Sequence, residues 1–144
     1  MDIIFAPAIS CKTPTEVITR VGALMESHGL ATTSYTEAML DVYYKHGNYI
    51  VLDEGIAMPH ARPETGALKN GLVFVLLSSP VIFQHPEYDP VKVAIGLCST
   101  GNTQHLELLT LVSELIDAGI GSKDFDSVDE LQEFVTNIQA NIAK

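Results

Sequence analysis

"LVFVLLS", Leu72 to Ser78, and "VKVAIGL", Val91 to Leu97, are short, apolar and rich in β-branched residues, and Gly, Pro and Asp bound them. That composition predicts two buried strands. Working outward, "NYIVL" (Asn48 to Leu52) is a third strand candidate. The "IIFAPAI" region supplies a fourth at a sheet edge, where Pro7 is tolerated because an edge position does not need every backbone N–H.

The flanking segments change period. Three Ser/Thr-x-x-Glu boxes mark helix starts: Thr13 with Glu16, Ser34 with Glu37, and Ser127 with Glu130. Pro14 falls at the first helical position of the first box, where its missing N–H costs nothing. Apolar residues at helical spacing follow each box: Val17, Val21, Leu24, Met25 and His28 before Gly29; Tyr35, Met39, Val42, Tyr43 and His46 before Gly47; Leu131, Phe134, Val135 and Ile138 in a helix from about Ser127 to about Ile138. A further helix is expected from a cap near Asn102, with Leu108, Leu111, Val112 and Leu115 on one face. Helices that precede, separate and follow the strands predict an α/β fold, layered helix, sheet, helix. No repeat, linker or low-complexity tract divides the 144 residues, so one domain spanning 1–144 is expected.

Charge and composition narrow the function. Eighteen acidic and eight basic residues give a net charge of −10, which repels a phosphate backbone and argues against nucleic acid as a partner. The start "MDIIFAPAIS" has no basic n-region, and the longest apolar run, Leu72 to Leu77, is far short of a membrane span. A cytoplasmic protein with no direct membrane insertion is expected. Cys11 and Cys98 lack any CxxC spacing and read as reduced, structural thiols.

The chain has no GxGxxG, P-loop, GxSxG or HExxH motif, so its chemistry rests on histidines. His28 and His46 precede helix-ending glycines and read as structural, able to bond the last carbonyls. His85, in "QHPEYDP", reads as an exposed loop bystander. His60 lies in "GIAMPHAR" (Gly55 to Arg62), behind a φ-restricted proline and among small residues that leave room for a reacting group. His105 falls in the first turn of the helix expected from Asn102, where unpaired N–H groups favour anions. A neutral imidazole offers a lone pair to phosphorus, and in-line phosphoryl transfer needs donor and acceptor held in line with charge stabilised on the equatorial oxygens. His60 with His105, and Arg62 beside them, contain those parts. A core role for one histidine, and a zinc site from His60, His85 and His105, are the competing readings.

"GIAMPHARPETG", "GLVFVLLSSPVIF", "DPVKVAIGLCST" and "NTQHLELLTLVSEL" together resemble the enzyme IIA domains of the mannitol and fructose superfamily of the bacterial phosphoenolpyruvate-dependent sugar phosphotransferase system. "PHARPETG" with "HPEYDPV" is most similar to the ascorbate type, with the galactitol type next. The resemblance implies a three-layer helix, mixed β-sheet, helix sandwich. It implies that His60 accepts a phosphoryl group from phospho-HPr and passes it to a cysteine of the cognate enzyme IIB, that His105 supports the transferred group, and that the membrane-embedded enzyme IIC moves the sugar. It implies no metal or organic cofactor. Where mannitol-type members carry an Arg-Glu pair upstream, this chain has "YYKHGN", with Tyr44 and Lys45 at the expected arginine. Anion support then falls to Arg62 or, more weakly, Lys45; the alternative is that Arg62 is a solvated loop arginine. Paralogues with the same motif use their phosphohistidine to control a protein partner, which is the alternative function. Apolar residues around "GIAMP" suggest docking on a small hydrophobic patch with a polar rim.

Overall fold

The computed structural model describes residues 1–101 and 103–143. Five strands, β1 (Asp2–Phe5), β2 (Val51–Asp53), β3 (Ile56–Ala57), β4 (Gly71–Val81) and β5 (Val91–Cys98), form one mixed sheet in the order β1-β4-β5-β3-β2. β1 runs parallel to β4 and β3 parallel to β5, while β4 with β5 and β2 with β3 are antiparallel. Four helices complete it: α1 (Pro14–Ser27), α2 (Thr33–His46), α3 (Thr103–Asp117) and α4 (Val128–Ile142).

The central strands explain the layering. Val73, Val75 and Leu77 of β4 face a core built with Val17, Ile18, Val21 and Met25 of α1 and Tyr35 and Met39 of α2. Leu72, Phe74 and Leu76 face the other way, into a core with Leu108, Leu111, Val112 and Leu115 of α3 and Leu131 and Val135 of α4. Alternate side chains of a strand point to opposite faces, so a strand covered on both sides must be apolar throughout. Each such fully buried side chain contributes about 1.5–3 kcal/mol relative to exposure. Gly96 of β5 lets α1 approach closely, because Val21 and Met25 occupy the space a Cβ would need.

Two of the three caps form as expected. The Thr13 and Ser127 hydroxyls accept the Glu16 and Glu130 amides, each at 3.2 Å. The second start is corrected: α2 begins at Thr33 behind Thr32, and Ser34 lies inside its first turn. The reason is tertiary, since Thr33 and Thr36 donate to the Glu26 carboxylate of α1 at 2.7 and 2.9 Å and so engage α2 from its first residue. Asn102, the expected cap of α3, lies outside the described residues. α4 extends past Ile138 to Ile142.

"NYIVL" is only partly a strand. Gly47, at φ +60, ends α2, and Gly47–Ile50 form a 3-10 turn in which Asn48 Nδ2 donates to the Gln84 carbonyl at 2.7 Å. β2 starts at Val51. The N-terminal edge strand is present as β1; beyond it Ala6 bonds Phe74 and Ile9 bonds Leu76, so Pro7 sits between ladder positions and leaves no bond unmade.

Candidate functional site

His60 is placed by a short strand and a proline. Gly55, at φ +74, turns β2 into β3, donates to the Tyr88 carbonyl at 3.0 Å and accepts from the Lys92 and Val93 amides at 2.8 and 3.1 Å. β3 then lies beside β5, with Ile56 opposite Val93 and Ala57 opposite Ala94. The register continues past the strand, because the Leu97 amide donates to the Pro59 carbonyl at 3.0 Å. His60 therefore emerges half-buried at the carboxyl ends of two parallel strands, a common position for sites in α/β sheets. Its Nδ1 lies 2.8 Å from the Met58 carbonyl. A carbonyl only accepts, so Nδ1 carries the proton and Nε2 keeps its lone pair.

The other side of this end is held by the buried hydroxyl of Tyr35. It donates to the Leu97 carbonyl at 2.8 Å, with the Ala61 carbonyl at 3.1 Å, and accepts the Ala61 amide at 3.0 Å. Pro59 and Ala61, the two neighbours of His60, are thus both tied to Leu97. Burial pushes the Tyr35 phenol well above the ordinary tyrosine range, which keeps it a donor.

Two residues past Leu97, the chain supplies Ser99, only 2% exposed, whose Oγ lies 2.7 Å from Nδ1 of His105. His105 is half-buried in the first turn of α3. Both histidines are therefore anchored around the end of β5. Thr100, beside Ser99, is held in turn by Asn70, whose side-chain oxygen accepts the Thr100 amide at 2.8 Å.

Arg62 follows the loop outward. Its side chain is 85% exposed and lies 4.0 Å from the Glu64 carboxylate. Lys45 is exposed in the last turn of α2, and its side chain makes no hydrogen bond or ion pair among the described residues.

His85 is corrected from loop bystander to loop builder. Its Nδ1 accepts the Glu87 and Tyr88 amides, both at 3.1 Å, and its ring stacks on Tyr88 with centroids 4.5 Å apart. It belongs to the connection entering β5 at Val91, whereas Ser99 and His105 lie at the far end of that eight-residue strand, about 25 Å along it. The three-imidazole zinc site is not assembled, and no cluster of three or more His, Cys, Asp or Glu suited to a metal occurs among the described residues. His28 and His46 are exposed, and neither imidazole bonds a helix-end carbonyl among the described residues.

Cys11 and Cys98 are free and buried, as read from the sequence. The Cys98 thiol donates to the Leu30 carbonyl at 3.2 Å, and burial pushes it up to about 11; burial raises Cys11 too. Neither is a reactive thiolate at neutral pH. Among the described residues, no helix is long and apolar enough to cross a membrane.

Sequence reasoning missed Tyr35 and Ser99. Tyr35 reads in the sequence as one more position on the α2 stripe, and Ser99 carries no signal of its own. Only the hydroxyl's position distinguishes either.

A mixed five-stranded sheet between two helix pairs makes this a layered α/β domain, with two histidines held near one strand end. Family comparison makes this specific. Residues 2–140 match the family "Phosphoenolpyruvate-dependent sugar phosphotransferase system, EIIA 2", and the chain belongs to that family. It is 42% identical over 74 residues to the ascorbate-specific phosphotransferase system EIIA component of Shigella boydii serotype 4 (strain Sb227), an alignment covering 51% of this chain. The chain spans about half the length of the curated relatives it matches, 48% in that case. The solution structure of the mannitol-specific cryptic phosphotransferase enzyme IIA from Escherichia coli superposes with a TM-score of 0.79 at 28% identity, covering 95% of this chain and 92% of that one. The complex of mannitol enzyme IIA with phosphorylated mannitol enzyme IIB, also from Escherichia coli, superposes with a TM-score of 0.76 at 27% identity, covering 94% of each chain.

Proposed function

We propose that this protein is a cytoplasmic phosphoryl carrier in sugar uptake, working as one domain across residues 1–144, with His60 as the acceptor. The observation that carries the reading is the 2.8 Å bond from His60 Nδ1 to the Met58 carbonyl, which leaves the Nε2 lone pair for phosphorus. In the first half-reaction Nε2 forms a P–N bond as the P–N bond of the phosphohistidine on phospho-HPr breaks, and that bond pair returns to the donor's nitrogen. In the second, a cysteine thiolate of the cognate enzyme IIB forms a P–S bond as the His60 P–N bond breaks. The pair returns to Nε2, which regenerates the starting imidazole.

Positioning and charge stabilisation do the rest. The bonds from Leu97 and Tyr35 to the neighbours of His60 limit the ring's freedom, which supports in-line geometry. His105, in the first turn of α3, supports the phosphoryl oxygens, with the positive end of that helix behind it. Arg62, whose exposed side chain has a single 4.0 Å ion-pair contact among the described residues, is available to swing onto the anion when a partner docks. The similarity to an enzyme IIA seen with phosphorylated enzyme IIB supports the acceptor. The ascorbate-specific relative supports ascorbate or a related sugar as the cargo moved by enzyme IIC.

The test is labelling by phosphoenolpyruvate with enzyme I and HPr. The wild-type protein should yield an acid-labile, alkali-stable phosphoprotein, and His60→Ala should yield none. An unlabelled wild-type protein in a working assay would exclude this function.

A further inference from the structure

We propose that Ser99 is a positioning residue that holds His105 in the tautomer with its proton on Nε2, so that the ring presents an N–H donor to the phosphoryl group on His60. The orientation toward the phosphoryl group rests on the function proposed above; the tautomer assignment rests on the hydrogen bonds alone.

Ser99 Oγ has two partners among the described residues: Nδ1 of His105 at 2.7 Å and the amide of Gly101 at 3.4 Å. The Gly101 N–H can only donate, so the hydroxyl oxygen accepts there. If His105 also donated through Nδ1, the hydroxyl proton would face no acceptor among the described residues, in a residue that is 2% exposed. A buried hydroxyl without a partner for its proton is costly, so the proton goes to Nδ1 of His105. The imidazole proton then resides on Nε2.

His60 has the complementary arrangement. Its Nδ1 faces a backbone carbonyl, which can only accept, at nearly the same distance. One ring is set as a lone-pair nucleophile at Nε2 and the other as a donor at Nε2, by two different partners at the Nδ1 positions. A hydroxyl suits the second task because it donates and accepts at once: it accepts the Gly101 amide and donates to His105.

Long-range proton–nitrogen NMR on the 15N-labelled protein, at mildly alkaline pH where imidazoles are neutral, reads the tautomer directly. His105→Gln assigns the signals. The wild type should show a bare Nδ1 and a protonated Nε2 at His105. Ser99→Ala should give a mixture of tautomers and slow phosphorylation of His60 by roughly tenfold, the effect of one hydrogen bond. Ser99→Thr, which keeps the hydroxyl, should restore both readouts. A wild-type His105 protonated on Nδ1 would overturn the proposal, as would a Ser99→Ala protein with unchanged tautomer and rate, or a Ser99→Thr protein no better than Ser99→Ala. Because the wild-type spectrum alone reports the tautomer, a poorly folded variant does not remove the test. A wild type with the Nε2–H tautomer that accepts no phosphoryl group would remove the carrier function and leave the hydrogen-bond assignment standing.

Discussion

The Tyr35 hydroxyl and the Ala61 backbone amide are 3.0 Å apart, although 26 positions separate them in the chain. The same oxygen lies 2.8 Å from the Leu97 carbonyl, so one side chain of α2 joins the loop after His60 to the end of β5. Tyr35→Phe keeps the ring and its packing but leaves these backbone groups without their partner. A loss of about 1–3 kcal/mol is expected, or roughly 3–5 °C in Tm per kcal/mol for a chain of this size. Thermal unfolding by circular dichroism measures it, and an unchanged Tm would show that the hydroxyl ties nothing together.

The imidazole at His105 is expected to support the transferred group without carrying it. His105→Gln should slow phosphorylation of His60 by about 100-fold, in the range seen on removing one preorganised donor from an anion site. Labelling at His60 should still reach completion given time. Single-turnover kinetics with phospho-HPr checks this, and a complete block equal to that of His60→Ala would make His105 an acceptor in its own right.

Burial of Cys98 sets an alkaline limit. Its folded-state value of about 11 lies above the ordinary 9.0, so its stabilising contribution is fully present below pH 9 and falls as the pH rises toward 11, where the unfolded chain releases the proton first. The shifted Tyr35 phenol acts in the same direction at higher pH. Tm should therefore drop steeply between pH 9 and 11, and less steeply in Cys98→Ala, even though that variant starts from a lower Tm. Equal slopes for the two proteins would contradict the assignment.

The helix starts offer a paired comparison. Thr13→Ala and Ser127→Ala each remove a hydroxyl that accepts a first-turn amide and should cost about 1 kcal/mol. Ser34→Ala should cost less than about 0.5 kcal/mol, because Ser34 is exposed inside the first turn of α2 and caps nothing. Urea titrations of the three variants separate them, and a Ser34 effect as large as the other two would restore it as a cap.

Much of the fold follows from local pattern. The two apolar runs that became β4 and β5 are buried on both faces, so their strand character needs no partner to be read. Thr13 and Ser127 cap where their boxes predict because both members of each box lie within one helical turn. The failures are non-local. Ser34 with Glu37 has the same local pattern as the true caps, but tertiary bonds from Thr32 to Gly66 and from Thr33 and Thr36 to Glu26 of α1 engage α2 ahead of it. β3 is two residues long and has no signal of its own; pairing with β5 makes it a strand.

The candidate site divides in the same way. Local pattern makes His60 and His105 candidates, because a stiff Pro-His segment and a histidine near a helix start are written in adjacent residues, but it leaves a core role for one of them open; the resemblance is what implies their roles. The tertiary structure decided what each ring nitrogen can do. Met58 lies two positions from His60, but its carbonyl faces Nδ1 only because β3 and Leu97 fix the loop; Ser99 and Tyr35 reach their targets only once β5, α2 and α3 have packed. A hydrogen bond depends on position to a fraction of an ångström, and that precision comes from packing, whereas the pattern along the chain specifies only which elements will pack.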